Sequence, residues 1–311
     1  MQKILIIKHG ALGDMVFGLP AFEAIRRHYS KAHITLLTSS PYKEYGTLCP
    51  FFDAVMIDDR KRPWAHPRYC WDVLQTIKKA EFDLIIDLQR SKRTRQYLHL
   101  SKLWKSKPQW SSTHQGADYH LNIQNLYVDH ILTINRQQIA MLGIQQTPPA
   151  SLDWMRTDVS PLKLPKKYFI LVPGTSPGQD HKKWPASHYG LIAQHVYEKG
   201  YTPIVLGTHH EEKDCQAIQQ KCPQTISLIG KTSLFDIPEI ARGAVGALGN
   251  DTGPMHFCYF SGCPSLYLFS YSSAPDLCGP TEKHGAVLKE NNLNNLSVDT
   301  VKENLKFRTK D

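Results

Sequence analysis

Residues 244–260 read Ala-Val-Gly-Ala-Leu-Gly-Asn-Asp-Thr-Gly-Pro-Met-His-Phe-Cys-Tyr-Phe. The first five, Ala244 to Leu248, form an apolar run suited to a strand buried on both faces of a parallel sheet. The last four, Phe257 to Phe260, are apolar enough to be the buried face of a helix. The turn between them carries Gly249, Asp251, Thr252, Gly253 and Pro254. Pro254 suits the first helical turn, where its missing N–H is not needed, and Asp251 and Thr252 suit the cap. A small-residue turn that opens a helix presents free backbone N–H groups and a positive dipole end, which together make a phosphate site.

Further apolar runs of the same kind lie on either side. They are 4–7, 34–37, 54–57, 84–88, 169–172, 203–206, 225–228 and 265–269. Helix-like segments fall between most of them, at 21–28, 68–79, 125–142, 186–198 and 211–220. Strands alternating with helices predict parallel, doubly wound α/β sheets. Residues 152–167 break the rhythm with Pro161 and Pro165, after Pro148-Pro149, and read as a linker between two halves. Residues 297–307 place Val298, Val301 and Leu305 behind a Ser/Asp cap and predict an amphipathic helix.

At 311 residues the chain is long enough to divide into two domains. Its apolar fraction of 41% suits a globular protein, and no stretch is apolar enough to span a bilayer. The first residues make a short strand without a small-residue cleavage site, so no signal peptide is expected. Seven cysteines without a C-x-x-C spacing argue for a reducing compartment and against a zinc site. The net charge of +9 allows nucleic acid, an anionic membrane or an acidic substrate as partner. Basic residues gather in the first half, around Arg60-Lys61-Arg62 and at Arg90, Lys92, Arg93 and Arg95. No nucleic-acid signature accompanies them, so a phosphorylated lipid at a membrane face fits better than DNA or RNA.

Several single residues are candidates for chemistry. Asp14 follows the first strand in a turn with Gly10 and Gly13, at the carboxyl end of a sheet where ligands of such folds bind. It can be a general base or an N-cap for the next helix. Gly10-x-x-Gly13 lacks the third glycine of a dinucleotide turn, and the charge of Asp14 would repel a pyrophosphate, which argues against an NAD enzyme. Lys182, just before Trp184-Pro185, can neutralise charge on a leaving diphosphate, although Lys183 beside it is an equal candidate by position. Thr175 and Ser176 follow Pro173-Gly174, where a plain turn is equally expected. His256 is a lone helix histidine, a type more often structural. Asp58-Asp59 is not a D-x-D and adjoins three basic residues, so an ion-paired or solvated pair is expected and no metal site. Fifteen histidines form no recognised ligand spacing either.

Five ordered segments carry a family likeness: residues 1–27 with Gly10, Gly13-Asp14 and Leu19-Pro20-Ala21; residues 82–89 ending Asp87-Leu88-Gln89; residues 169–175; Lys182-Lys183-Trp184-Pro185; and residues 249–256. Together they resemble the ADP-heptose:lipopolysaccharide heptosyltransferases, glycosyltransferase family 9. The resemblance implies a GT-B fold, two Rossmann-like domains facing a central cleft. Residues 1–155 would bind the acceptor, 156–295 the nucleotide sugar, and 296–311 would return as a helix toward the first domain. It implies that Asp14 takes the acceptor proton and Lys182 steadies the leaving ADP. Thr175, Ser176, Thr252 and Gly253 would hold phosphates, with Asp251 and His256 at the same donor. No metal or cofactor is implied, the ADP-sugar being a substrate.

The expected activity is inverting transfer of a heptose to the inner core of lipopolysaccharide. Arg60, Arg90, Lys92 and Arg93 would meet the anionic acceptor. The expected setting is a cytoplasmic monomer, peripheral on the inner face of the inner membrane. A sugar-nucleotide epimerase of the same shape and a non-catalytic nucleotide-sugar binder are the alternatives. Two segments depart from the family pattern. After the run 203–206, His209 stands where a ribose-binding carboxylate is expected, with Glu211 displaced by two, so no ribose contact is assigned. The tail 268–273 also differs from the usual Phe-Gly-Pro-Thr.

Overall fold

The computed structural model describes residues 1–123, 129–176 and 178–308. The chain divides after Ala150 into two units, Met1–Ala150 and Ser151–Asp311.

In the first unit β1 (Lys3–Ile7) leads into α1 (Leu12–His28), β2 (His33–Thr38), α2 (Lys43–Leu48), β3 (Ala54–Ile57), α3 (Pro67–Ala80), β4 (Leu84–Asp87), α4 (Lys92–Ser101), β5 (Gln109–Ser112), β6 (Tyr119–His120) and α5 (Ile131–Ala140). The sheet order is β3-β2-β1-β4-β5-β6, and every pairing is parallel. Ile4 to Ile7 are wholly buried, as a central strand covered on both faces requires.

The second unit repeats the plan with β7 (Tyr168–Val172), α6 (Ala186–Glu198), β8 (Thr202–Val205), α7 (Glu212–Lys221), β9 (Ile226–Ser227), α8 (Asp236–Gly243), β10 (Gly246–Asn250), α9 (Gly253–Phe260), β11 (Ser265–Phe269), α10 (Pro275–Cys278), β12 (Gly285–Lys289) and α11 (Val298–Asn304). Its order, β12-β11-β10-β7-β8-β9, is also all parallel. Each unit therefore reverses its winding once, between β1 and β4 and between β7 and β10. Ligands of such sheets bind beyond the carboxyl ends of the strands at that reversal.

One helix begins earlier than the sequence suggests. Pro20 and the glycines before it place the start near residue 21, but α1 runs from Leu12 with Pro20 inside it. Burial of Met15, Val16, Phe17 and Leu19 outweighs the backbone hydrogen bond that Pro20 lacks. The basic stretch around residues 92–101 is also helical, because Thr94, Tyr97, Leu98 and Ser101 form a buried stripe on α4. The helix expected over 125–142 lies partly outside the described residues, and its described part is α5. The C-terminal helix α11 buries Val301, with Leu305 after it, in the same apolar cluster as Trp184, Ile192 and Leu248 of the second unit.

Candidate functional site

The first reversal gathers the turn after β1 and the turn after β4. Gly10 has φ +107°, and a Cβ there would run into the Tyr42 ring, so only glycine fits. The turn delivers Asp14 to the third position of α1, where its carboxylate accepts the Ala11 N–H at 2.9 Å. The side chain remains 42% exposed. The Lys8 ammonium lies 3.7 Å from this carboxylate and donates to the Leu88 carbonyl at 3.2 Å. Burial lowers the pKa of Lys8, and Arg90 adds to that, while Asp14 and Asp87 oppose it. From β4, Asp87 accepts the backbone N–H groups of Gln89 and Arg90 at 3.0 and 2.9 Å, which fixes the turn.

The four basic residues expected at the acceptor divide into two pairs. Arg90 points inward: its Nε donates to Gln138 at 2.9 Å and its Nη2 to Asn135 at 2.6 Å, both on α5. Burial lowers its pKa to about 10. Arg93 grips Asp58 through Nε and Nη2, each at 2.7 Å. Arg60 and Lys92 are exposed. Asp58 is wholly buried and also receives Tyr97 Oη at 2.8 Å and His9 Nε2 at 3.0 Å. Burial alone would raise its pKa, but His9 and Arg93 hold it well below the usual carboxylate range. The Asp58-Asp59 pair expected from sequence is therefore two different residues, a buried ion-paired Asp58 and an exposed Asp59.

The second reversal gathers the loop after β7, with Thr175 and Ser176, and the turn after β10. Asn250, the last residue of β10, is buried and ties the two together. Its Nδ2 donates to the carbonyls of Pro173 at 2.7 Å and Gly174 at 3.3 Å. Its Oδ1 accepts Trp184 N–H and Tyr189 Oη, both at 3.1 Å. That network sets the Lys-Lys-Trp-Pro segment beside Asp251. Lys182 Nζ lies 3.3 Å from Asp251, whereas Lys183 turns to Asp214 at 3.2 Å. His256 Nε2 lies 3.6 Å from the same Asp251, and its Nδ1 lies 3.3 Å from Tyr267 Oη. Burial would raise the Asp251 pKa, but His256, with Lys182 adding, holds it at about 2.

Thr252 caps α9, and Gly253 and Pro254 form its first turn. The Thr252 side chain makes no capping bond. Its Oγ1 is buried and has no hydrogen-bond partner among the described residues. A buried hydroxyl without a partner is costly, and Thr38, Thr225 and Ser273 carry others among the described residues, so it is the place of Thr252 at the start of α9 that sets it apart. Thr175 is half-buried and Ser176 exposed, each just after the Pro173 and Gly174 carbonyls that Asn250 holds. Glu211 is buried, accepts the Thr208 N–H at 2.8 Å, and lies so close to Gly174 that a Cβ there would meet its carboxyl carbon at 2.9 Å. The acidic residue displaced in sequence thus reaches the ends of β7 and β8 all the same.

Sequence reasoning missed Lys8 and Asn250. Both are polar residues closing an apolar strand, and that position was the available signal. Among the described residues no group of three His, Cys, Asp or Glu could hold a metal ion, and no helix is long and apolar enough to cross a membrane.

A family model described as glycosyltransferase family 9 (heptosyltransferase) matches residues 70–306. Lipooligosaccharide heptosyltransferase 2 of Haemophilus ducreyi is 20% identical over 93% of this chain and 88% of its own. Among solved structures, the family 9 glycosyl transferase of Veillonella parvula has a TM-score of 0.78 at 18% identity, covering 100% of this chain and 90% of that one. E. coli heptosyltransferase WaaC with ADP has a TM-score of 0.76 at 18% identity, covering 97% and 98%. The two six-stranded parallel units are those of a GT-B fold.

Proposed function

This chain belongs to glycosyltransferase family 9, and from that premise we propose that it moves a heptose from ADP-heptose onto the inner core of a lipopolysaccharide precursor, with inversion. The observation that carries the donor half is the second unit's reversal point. There the buried Thr252 hydroxyl, without a partner among the described residues, stands at the N-terminus of α9, next in the chain to Asp251, whose carboxylate lies 3.3 Å from the Lys182 ammonium. That is the chemistry of a diphosphate seat. Thr252 and the Gly253 N–H take phosphate oxygens, with Thr175 and Ser176 on the neighbouring loop. Asp251 and His256 orient Lys182 and meet the donor sugar.

Asp14 is the base. As the acceptor oxygen bonds to the anomeric carbon, its proton passes to the Asp14 carboxylate and the bond to the diphosphate breaks. Lys182 and the positive end of α9 stabilise the charge that collects on departing ADP. These groups supply what a metal ion would, so the transfer needs neither metal nor cofactor. Arg60 and Lys92 offer charge to the anionic acceptor, while Arg90 and Arg93 hold the loops that carry them. The enzyme works as a cytoplasmic monomer at the inner face of the inner membrane.

The test is an incubation with ADP-heptose, with and without a lipopolysaccharide precursor, against UDP-, GDP- and CDP-sugars. The expected result is ADP release only with ADP-heptose and acceptor together, and an inverted anomer in the product. A free isomer of the sugar nucleotide formed without acceptor would assign an epimerase instead. Tight ADP binding without turnover on any acceptor would assign a binding protein.

A further inference from the structure

Trp64 and Trp71 are 79% and 61% exposed, whereas Trp104, Trp110 and Trp184 are buried. The two exposed indoles flank the start of α3, at the end of a run, residues 59–68, that is exposed throughout. The run carries Arg60, Lys61, Arg62 and Arg68, and its acidic member Asp59 already accepts the Ser40 N–H at 2.7 Å. The Arg62 guanidinium lies over the Trp64 ring at 5.7 Å, and the Lys61 ammonium over Tyr69 at 4.8 Å.

The base of this segment is fixed. The Lys61 carbonyl accepts Arg93 Nη1 at 2.8 Å, and the Asp59 N–H donates to Tyr69 Oη at 2.7 Å. A tethered loop and helix start that present two indoles to water give up the free energy of covering them, so the pair calls for a partner. Tryptophan interleaved with arginine and lysine is the composition of a bilayer interface: the amphipathic rings sit at headgroup level and the cations take lipid phosphates. A nucleic-acid platform needs an open aromatic face for stacking, and here Arg62 already covers Trp64.

We propose that residues 60–71 dock the first unit on an anionic lipid bilayer, with Trp64 and Trp71 seated among the headgroups and Lys61, Arg62 and Arg68 on lipid phosphate. The segment follows β3, at the same carboxyl end of the parallel sheet as the turn that carries Asp14 after β1, with β2 between them. A bilayer held there meets the end of the sheet at which a lipid-linked acceptor must present its hydroxyl. This role deepens the transferase reading and rests on it for the acceptor.

The experiment uses the full chain with vesicles of phosphatidylethanolamine and phosphatidylglycerol, the latter brominated in one series, and phosphatidylcholine vesicles as control. Wild-type protein should bind the anionic vesicles only, with tryptophan emission shifted to the blue and quenched by bromine. The W64S/W71S variant should keep its unfolding midpoint, lose the quenching and partition roughly tenfold or more weaker. The K61S/R62S/R68S variant should lose on the order of 100-fold at low salt. W64S/W71S should turn over an acyl-free soluble acceptor like wild type and a vesicle-embedded acceptor poorly. Equal binding by W64S/W71S, unquenched wild-type emission on bound vesicles, or preference for a single-stranded oligonucleotide over vesicles would overturn the proposal. Failure of wild type on the acyl-free acceptor would instead count against the transferase reading, and the vesicle result would stand apart from it.

Discussion

At the first unit's reversal point the guanidinium groups are already paired inside the protein, Arg90 to α5 and Arg93 to Asp58. At the second, a buried Thr252 hydroxyl has no partner among the described residues. One unit turns Arg90 and Arg93 onto its own residues and leaves the Asp14 carboxylate 42% exposed, although His9 Nδ1 and Thr38 Oγ1 there also lack partners among the described residues; the other has its unpartnered Thr252 hydroxyl at a helix N-terminus. An ion-paired frame suits a residue that must be held still while an outside molecule comes to it. An unpartnered donor at a helix start suits tight grip on a small anion. The same strand order supports both, so the difference lies in a few residues at the strand ends and not in the architecture.

The largest expected effect breaks the first half of that contrast. Asp14→Asn should cut kcat by roughly 10²–10⁴-fold, the usual loss of a general base. Its helix should survive, because an amide oxygen can still accept the Ala11 N–H. Rates within a few-fold of wild type in the folded variant would leave Asp14 only a structural part.

Asp58→Ala attacks the ion-paired network itself. It strands Arg93, Tyr97 and His9 in a buried setting, and should cost about 3–5 kcal/mol of first-unit stability, as loss of one member of a buried ion pair does. Calorimetry should show a lowered transition for that unit while ADP still stabilises the other. An unchanged melting profile would show that the network carries little of the frame.

Lys182→Ala should weaken ADP binding by roughly 10–100-fold, the range of about 1.5–3 kcal/mol for a charged hydrogen bond. Lys183→Ala should change it little, because Lys183 is engaged with Asp214. A reversal of the two would put the diphosphate on the α7 side.

A pH titration sharpens the contrast from the stability side. Asp251, held at about 2, lies below its unfolded value near 3.9. A depressed carboxylate contributes stability that is present above the unfolded pKa and lost as pH falls through the folded one. The loss should run between about pH 4 and pH 2 and amount to about 2.5 kcal/mol. Asp251→Asn should remove this part of the acid limb from the second unit, leaving the part due to Asp58. An acid limb of unchanged size in Asp251→Asn would deny the carboxylate its partners.

Much of the frame was legible. The runs 4–7, 169–172 and 244–248 read as strands because a central parallel strand is apolar throughout. The turn at residues 249–254 read as a helix start because glycine, threonine and proline each have a reason to be there. The start of α1 was hidden by Pro20, whose local cost is overridden by burial that only tertiary packing supplies. The roles of Arg90 and Arg93 were hidden for a different reason. Their partners lie 35 to 48 residues away, and no local pattern distinguishes an arginine aimed at such a partner from one aimed at solvent. His9 and Asp58, 49 residues apart, are the same case. Asn250 sat in plain view beside Asp251, but its four contacts reach both ends of the loop between β7 and α6 and Tyr189 on α6, 61 to 77 residues away.

In the proposed donor site the Thr252 hydroxyl, without a partner among the described residues, takes the donor phosphate, in a unit that needs nothing from Asp14 to bind it. Calorimetric titration of ADP into Thr252→Val and Asp14→Asn tests this side by side. Valine keeps the shape and removes a hydroxyl that caps nothing, so the apo protein should melt no lower than wild type. ADP affinity should fall about tenfold or more, the value of one hydrogen bond to a charged phosphate oxygen, while Asp14→Asn should bind ADP as wild type does. Unchanged ADP affinity in Thr252→Val, or a loss of ADP affinity in Asp14→Asn, would contradict the account.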